Sequence, residues 1–344
     1  MEIPVLNVQD YIHNNQDTDD DEDDAGVIRA KQYLENTYGK DWIERPLLLK
    51  ELWTQKELRL LTPNGLLTMT NLTIPYFTNA TNPTALIPDG YDTVSNIIQG
   101  MIYDQKPYKI GSQYIVQHDP TLLFKEIIPN DNNDNNQLFL TKLFGNHFSP
   151  EKITGKSIFE FKNGIKLKLP GTTTVPVFIA NTITTTSKDK NKATTATTTQ
   201  KKEEFLTGLH CEPIANLAVQ LWGSRTWTLV NPIHTWKLRP RIATDGRSYY
   251  PSSISKNDLT RKIPRYRITT NPGDAVWLPT WTYHQVEYTT TRKNENSKMI
   301  SFSQLSIGAS IFHFRPYDYI RRNPLFALLL IPSLLKELIG MKTQ

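Results

Sequence analysis

From residue 205 to about residue 315 the chain is a succession of short runs rich in β-branched and aromatic residues, each closed by a Gly, Pro or Asn turn. No other feature limits the fold as much. "NLAVQLW" (216–222) runs through "GSR" into "TWTLVNP" (226–232), which reads as a hairpin. "RYRITT" (265–270) passes through "NPGD" (271–274) into "AVWLP" (275–279). "HQVEYTTT" (284–291) leads through "KNENS" to "KMISFSQLSI" (298–307). Closely spaced strands with turns of this kind predict a mainly β domain, a sandwich or a jelly roll.

The rest of the chain reads as additions to that core. The 344 residues are enough for one large or two medium domains, yet apolar content is only 38%. The shortfall traces to polar insertions. "NDNNDNNQ" (130–137) is expected to be a loop, and residues 181–204, with their Thr/Lys tract, a low-complexity insertion that joins no core. Residues 1–26, which include "DTDDDEDD", read as a disordered acidic tail. Residues 27–180 mix helical spacing with short apolar strands such as "PLLL" and are expected to form an α/β elaboration of the core. The last segment, 316–344, contains "NPLFALLLIPSLLKELIG". Its uninterrupted apolar run from Leu325 to Ile331 is far short of the roughly 20 residues of a membrane helix. An amphipathic helical tail, packed on its own domain or on a second copy, is the expectation, with no membrane span.

The net charge of +5 conceals an asymmetry: residues 1–30 carry −8 and the remainder +13. A basic body attracts nucleic acid or an acidic protein segment, although ordinary surface charge gives the same balance. The single cysteine, Cys211, rules out an internal disulfide and an all-cysteine metal site. The N-terminal "MEIPVLNVQDYIHNNQ" lacks the basic and apolar regions of a secretory signal, so cytoplasm or nucleus is the expected location.

The chemistry centres on His210-Cys211-Glu212. On a strand, side chains alternate, so His210 and Glu212 point one way and Cys211 the other. Two ligands on one side hold one edge of a metal, and a stable site needs a third. His284 has the most informative setting, since "NPGD" starts a strand, Pro279 ends it and His284 opens the next. Two imidazoles and one carboxylate on one face of a metal leave other positions open, which suits a non-haem Fe(II) oxygenase. Cys211 reads as inert packing. His147, His234 and His313 have no partner at ligand spacing, and "GKS" (155–157) lacks the first Gly of a phosphate loop. Trp222 and Trp227 read as core, while Trp281 and Tyr283 are candidates for lining a substrate pocket.

Thr207, His210, Glu212, Asn216, Gly223-Ser224-Arg225, Pro272-Gly273-Asp274, Pro279, Trp281 and His284 occur in this order across 205–290. In that order they resemble the cupin-like JmjC family of 2-oxoglutarate-dependent oxygenases, especially the branch of the factor-inhibiting asparaginyl hydroxylase. The resemblance is weaker over 45–130 and absent from the tail and the Thr-rich tract. It implies a double-stranded β-helix, the cupin form of the jelly roll. It also implies Fe(II) on His210, Glu212 and His284, and 2-oxoglutarate as co-substrate. Arg225 and Thr207 would bind the distal carboxylate of that co-substrate, Tyr114 would add a hydroxyl, and Asn216 would lie near its chelating end. Arg225 suits the role chemically, because a guanidinium fork matches a carboxylate and keeps its charge. Two positions depart from the hydroxylase pattern: Glu212 replaces Asp, and Arg225 replaces the commoner Lys. The implied activity is hydroxylation or demethylation, with a protein side chain as the first substrate class and RNA as the second. The resemblance also makes the apolar tail a candidate homodimer contact. The competing readings are a catalytically silent jelly-roll binding module and a metal-dependent cupin that is not an oxygenase.

Overall fold

The computed structural model describes residues 2–12, 23–53, 62–78, 89–103, 109–112, 139–140, 142–144, 157–160, 166–169, 173–174, 177–181, 207–243, 249–289 and 305–338. In chain order the N-terminal half contributes Val5–Asn7 (β1), Gln9–Ile12 (α1), Asp23–Tyr38 (α2), Leu47–Lys50 (β2), Pro63–Leu67 (α3), Thr73–Tyr76 (β3), Gly90–Thr93 (β4), Val94–Ile102 (α4) and Lys109–Ser112 (β5). Short strands follow at Ser157–Glu160 (β6), Lys166–Leu169 (β7), Thr173–Thr174 (β8) and Val177–Asn181 (β9). Then come His210–Cys211 (β10), Ala215–Trp222 (β11), Ser224–Val230 (β12), Tyr250–Pro251 (β13), Lys256–Lys262 (α5), Tyr266–Thr270 (β14), Ala275–Leu278 (β15), Tyr283–Thr289 (β16) and Leu305–His313 (β17). Two helices, Pro316–Arg322 (α6) and Pro324–Leu338 (α7), end the described chain.

Two sheets face each other. The larger has the order β1-β2-β15-β11-β17-β9-β5, with β8 also paired to β17, and the smaller has the order β13-β10-β16-β12-β14. From β14 onward each successive strand changes sheet, from β14 (small) to β15 (large), β16 (small) and β17 (large). This is a jelly roll, so the expected mainly β architecture stands. The hairpin expected at 216–232 does not form. β11 lies in the large sheet and β12 in the small one, and neither pairs with the other. The cause is local: Gly223 turns the corner at φ 65°, and a Cβ there would lie 2.1 Å from the Leu305 carbonyl oxygen. The chain therefore crosses between sheets instead of doubling back.

The layers follow from where each face is buried. The outer face of the large sheet, with Leu217, Val219, Leu221, Trp277 and Ile311, packs against Ala30 and Leu34 of α2 and Ile97, Ile98 and Met101 of α4. Helix α4 forms because Thr93 caps its start, accepting from the Asn96 N–H, and because its apolar residues share one face. The space between the sheets holds Ala218, Trp227, Leu229, Val276, Leu278, Val286 and Tyr288. The outer face of the small sheet, with Cys211, Val230, Tyr250 and Tyr283, is covered by Tyr319, Phe326, Ala327 and Leu330 of the C-terminal helices. Strand β11 is buried on both faces, which is why its sequence reads as a nearly continuous apolar run.

Two expected boundaries are corrected. Residues 2–12 are not a disordered tail: β1 pairs in parallel with β2 at the edge of the large sheet, and Leu6 and Val8 are fully buried. The neighbouring acidic run dominates the composition of 1–26 and masks the strand "VLN"; residues 13–22 lie outside the described residues. The β core also begins before 205, since β5, β8 and β9 extend the same sheet as β17. The Thr/Lys tract at 182–204 and the loop at 130–137 lie outside the described residues. Among the described residues no helix is long and apolar enough to cross a membrane.

Candidate active site

The short strand β10 pairs with β16 so that His210 sits directly across from His284. On its other side β16 pairs with β12, placing Leu229 opposite His284. Residues in register share a face. Leu229 lies between the sheets, so both imidazoles face the jelly-roll interior. Their ring centroids are 4.4 Å apart, with Trp227 6.3 Å from His284 and Tyr249 5.8 Å from His210.

Both rings are oriented by backbone. His210 Nδ1 lies 2.6 Å from the Gly208 carbonyl oxygen, and His284 Nδ1 lies 3.0 Å from that of Thr282. A carbonyl only accepts, so each Nδ1 carries a proton, and in the neutral ring Nε2 then keeps its lone pair. Second contacts of this kind fix the tautomer of a metal-binding histidine. Burial pulls the pKa of His284 down, the bond to Thr282 acting the other way, which favours the neutral form that ligates metals.

Glu212 is the third expected ligand, with Oε1 3.8 Å from His210 Nε2. Neighbouring ligand atoms around an octahedral ion with bonds of about 2.1 Å stand about 3 Å apart. Among the described residues no three His, Cys, Asp or Glu side chains are gathered into a metal-binding cluster. The donor types, two imidazoles and a carboxylate near one of them, suit Fe(II), while the Glu212–His210 separation is wider than coordination requires. Cys211 faces away, fully buried with Tyr250 and Tyr283, and burial pushes its thiol pKa well up. It is a packing residue, as the strand alternation predicts.

Arg225 lies on the same inward face, in register with Tyr288 on β16 and Thr270 on β14. Its side chain is only 2% exposed. Nε donates to Ser306 Oγ at 3.2 Å and Nη2 donates to the Phe178 carbonyl oxygen at 2.8 Å. The guanidinium carbon lies 5.3 Å from the Tyr288 ring centroid. Among the described residues no carboxylate pairs with it. Burial lowers its pKa, with Tyr288 opposing, and a buried cation of this kind is costly until an anion joins it. Ser306 belongs to a polar chain across the interior. It accepts from Gln220 Nε2 at 3.1 Å, while Gln220 Oε1 accepts from Thr270 Oγ1 at 3.4 Å and Thr270 Oγ1 accepts from Trp227 Nε1 at 3.2 Å. None of these residues stands out in the sequence. The signal is that Gln220 and Ser306 are polar at inward positions of strands that are buried almost throughout.

Asn216 also faces inward, in register with Leu278 and Phe312, and its buried Oδ1 has no hydrogen-bond partner among the described residues. Thr207 is engaged with the sheet. Its Oγ1 accepts from the Val286 N–H at 2.8 Å, and its own N–H donates to the Val286 carbonyl at 3.0 Å. Its hydroxyl proton is not used in these bonds. Tyr114 lies outside the described residues. Trp281 and Tyr283 do not line a pocket beside His284. Both are fully buried on the opposite side of the sheet, in the cluster beneath the C-terminal helices. Strand alternation accounts for Tyr283, which is adjacent to the inward-facing His284.

A family model described as a cupin-like domain matches residues 170–316. The match takes in every strand from β8 to β17 and ends where α6 begins. No curated protein matches the chain. Fold and match agree on a cupin-like jelly-roll domain over residues 170–316.

Proposed function

We propose that the protein is an Fe(II)- and 2-oxoglutarate-dependent oxygenase that hydroxylates a protein side chain, in the manner of the asparaginyl-hydroxylase branch. The observation that carries this reading is Arg225: a buried guanidinium with no carboxylate paired to it among the described residues, on the same interior face as His210 and His284. His210, Glu212 and His284 would hold the iron on one face and leave positions open for co-substrate and O₂. Iron bound there would couple decarboxylation of 2-oxoglutarate to succinate and CO₂ with oxidation of a substrate C–H bond. Arg225 has N–H groups beyond the two given to Ser306 and Phe178, and these would grip the distal carboxylate as a fork. Thr207 and Tyr114 would add hydroxyl donors to that end. Asn216 would place its amide near the chelating end. Trp227, Leu229, Val286 and Tyr288 form the apolar wall that keeps water from the interior. The apolar outer side of the C-terminal helices is proposed as a homodimer contact.

The test is anaerobic Fe(II) titration with 2-oxoglutarate, read by the metal-to-ligand charge-transfer absorption. Wild type is expected to develop the band, His210→Ala to lose it, and Arg225→Ala to show it only at much higher 2-oxoglutarate. Iron bound without a band would favour a cupin that is not an oxygenase. No iron bound by a folded protein would favour a silent binding module.

A further inference from the structure

We infer that Trp281 is a positioning residue for the site: its backbone, held in a left-handed conformation by the C-terminal helices, fixes Glu212 and His284 together. The inference rests on the reading of those two residues as metal ligands.

The turn between β15 and β16 carries the argument. Thr282 N–H donates to the Pro279 carbonyl at 3.0 Å, closing a four-residue turn over Pro279, Thr280, Trp281 and Thr282. Trp281 occupies its third position at φ 67°. A turn with positive φ at that position normally has Gly or Asn there, and a bulky aromatic residue is an outlier that persists only when its surroundings hold it. The surroundings here are specific. The indole is 0% exposed, stacks on Tyr319 of α6 with centroids 5.5 Å apart and meets the edge of Phe326 of α7 at 5.6 Å. Its Nε1 donates to the Tyr319 carbonyl oxygen at 3.0 Å. Phe326 also stacks on Tyr250, whose strand pairs with β10.

The strained backbone is turned toward the site. Trp281 N–H donates to the carbonyl oxygen of Glu212 at 3.0 Å. The next residue, Thr282, supplies the carbonyl that holds His284 Nδ1. One turn therefore restrains the backbone of one expected ligand, Glu212 just past the end of β10, and the ring of another, His284 on β16, and both restraints pass through the residue that the C-terminal helices anchor. Relaxing φ at Trp281 to a negative value would swing its N–H off Glu212 and shift the Thr282 carbonyl beneath His284.

Glycine and alanine at 281 separate this role from simple packing. Both remove the indole, but glycine adopts the left-handed conformation without strain and alanine does not. Fe(II) affinity is expected to fall by about tenfold or more in Trp281→Ala, as for other groups that orient metal ligands, and by clearly less in Trp281→Gly. Equal losses in the two variants, a larger loss in glycine, or no loss in alanine would overturn the inference. Hydrogen exchange of the metal-free protein gives a readout independent of iron: the Trp281 amide is expected to be protected in wild type and to lose protection in Phe326→Leu, which removes the ring that meets the indole and stacks on Tyr250. A rapidly exchanging Trp281 amide in wild type, or unchanged protection in Phe326→Leu, would also overturn it. If wild type binds no Fe(II), the oxygenase reading fails by itself, and the exchange measurement still decides whether the helices hold this turn.

Discussion

At the scale of single residues the most informative group is Arg225. Its burial costs free energy that two neutral acceptors, Ser306 Oγ and the Phe178 carbonyl, only partly offset. Replacement by an apolar residue of similar length removes that cost. Arg225→Met is therefore expected to leave the ligand-free protein as stable as wild type, or more stable by about 1 kcal/mol or more, when unfolded with denaturant. The same variant should lose the stabilisation that 2-oxoglutarate gives wild type, about 2.7 kcal/mol at one hundred times the dissociation constant. A large loss of stability with the ligand effect preserved would make Arg225 a structural cation. The sequence singles out His210, Glu212 and His284 by residue type and spacing and Arg225 by resemblance; the structure sets His210, His284 and Arg225 on one interior face, and Cys211 faces the other way as strand alternation predicts. Ser306, Gln220 and Phe178 were not legible, because their roles depend on which strands lie opposite, and Phe178 acts only through its carbonyl.

At the scale of elements, the strands were legible and their partners were not. Runs such as "TWTLVNP" and "AVWLP" mark β structure by composition, but a Gly turn between two runs looks alike whether the chain doubles back or crosses to a facing sheet. Gly223 does the second. Another glycine shows how closely a strand supports the site. Gly308 on β17 lies in register with Gln220 and Phe178, and a Cβ built on it would stand 2.5 Å from Arg225 Nη1 and 2.6 Å from Cζ. The guanidinium thus rests against a bare stretch of backbone, pinned there by its two hydrogen bonds. Gly308→Ala should push the fork out of place without breaking the strand. The expected outcome is a rise of about tenfold in the 2-oxoglutarate dissociation constant, equivalent to about 1.4 kcal/mol, with Fe(II) affinity unchanged. Calorimetric titration of each ligand reads both quantities, and equal weakening of the two would point to general damage instead.

At the scale of the whole molecule, the C-terminal helices present two different sides. One side, with Phe326, Ala327 and Leu330, covers the small sheet and anchors Trp281. The helices are also tied to the N-terminal half, because Arg322 donates to the Glu44 carbonyl at 3.2 Å and Arg321 pairs with the Glu44 carboxylate. The other side of α7 exposes Leu325, Leu328, Leu329 and Ile331, next to exposed Tyr317 and Ile320 on α6. Apolar residues exposed side by side in this way mark an interaction face. A two-fold contact between copies is the simplest closed arrangement that would cover it, since one patch then serves both partners. Leu328 is the natural place to test this. It is 64% exposed, so a charge there leaves the packed side of the helix intact. Light scattering at micromolar concentration is expected to give the mass of two chains for wild type and of one chain for Leu328→Glu. A single-chain mass for wild type would reject the dimer. A two-chain mass unchanged in Leu328→Glu would move the interface elsewhere. If the dimer forms through this side, each α7 is clamped from both sides, and the helix that holds Trp281 against the ligand strands is stiffened by the partner. Leu328→Glu should then also speed hydrogen exchange at Trp281, although the two residues lie on opposite sides of the helix layer.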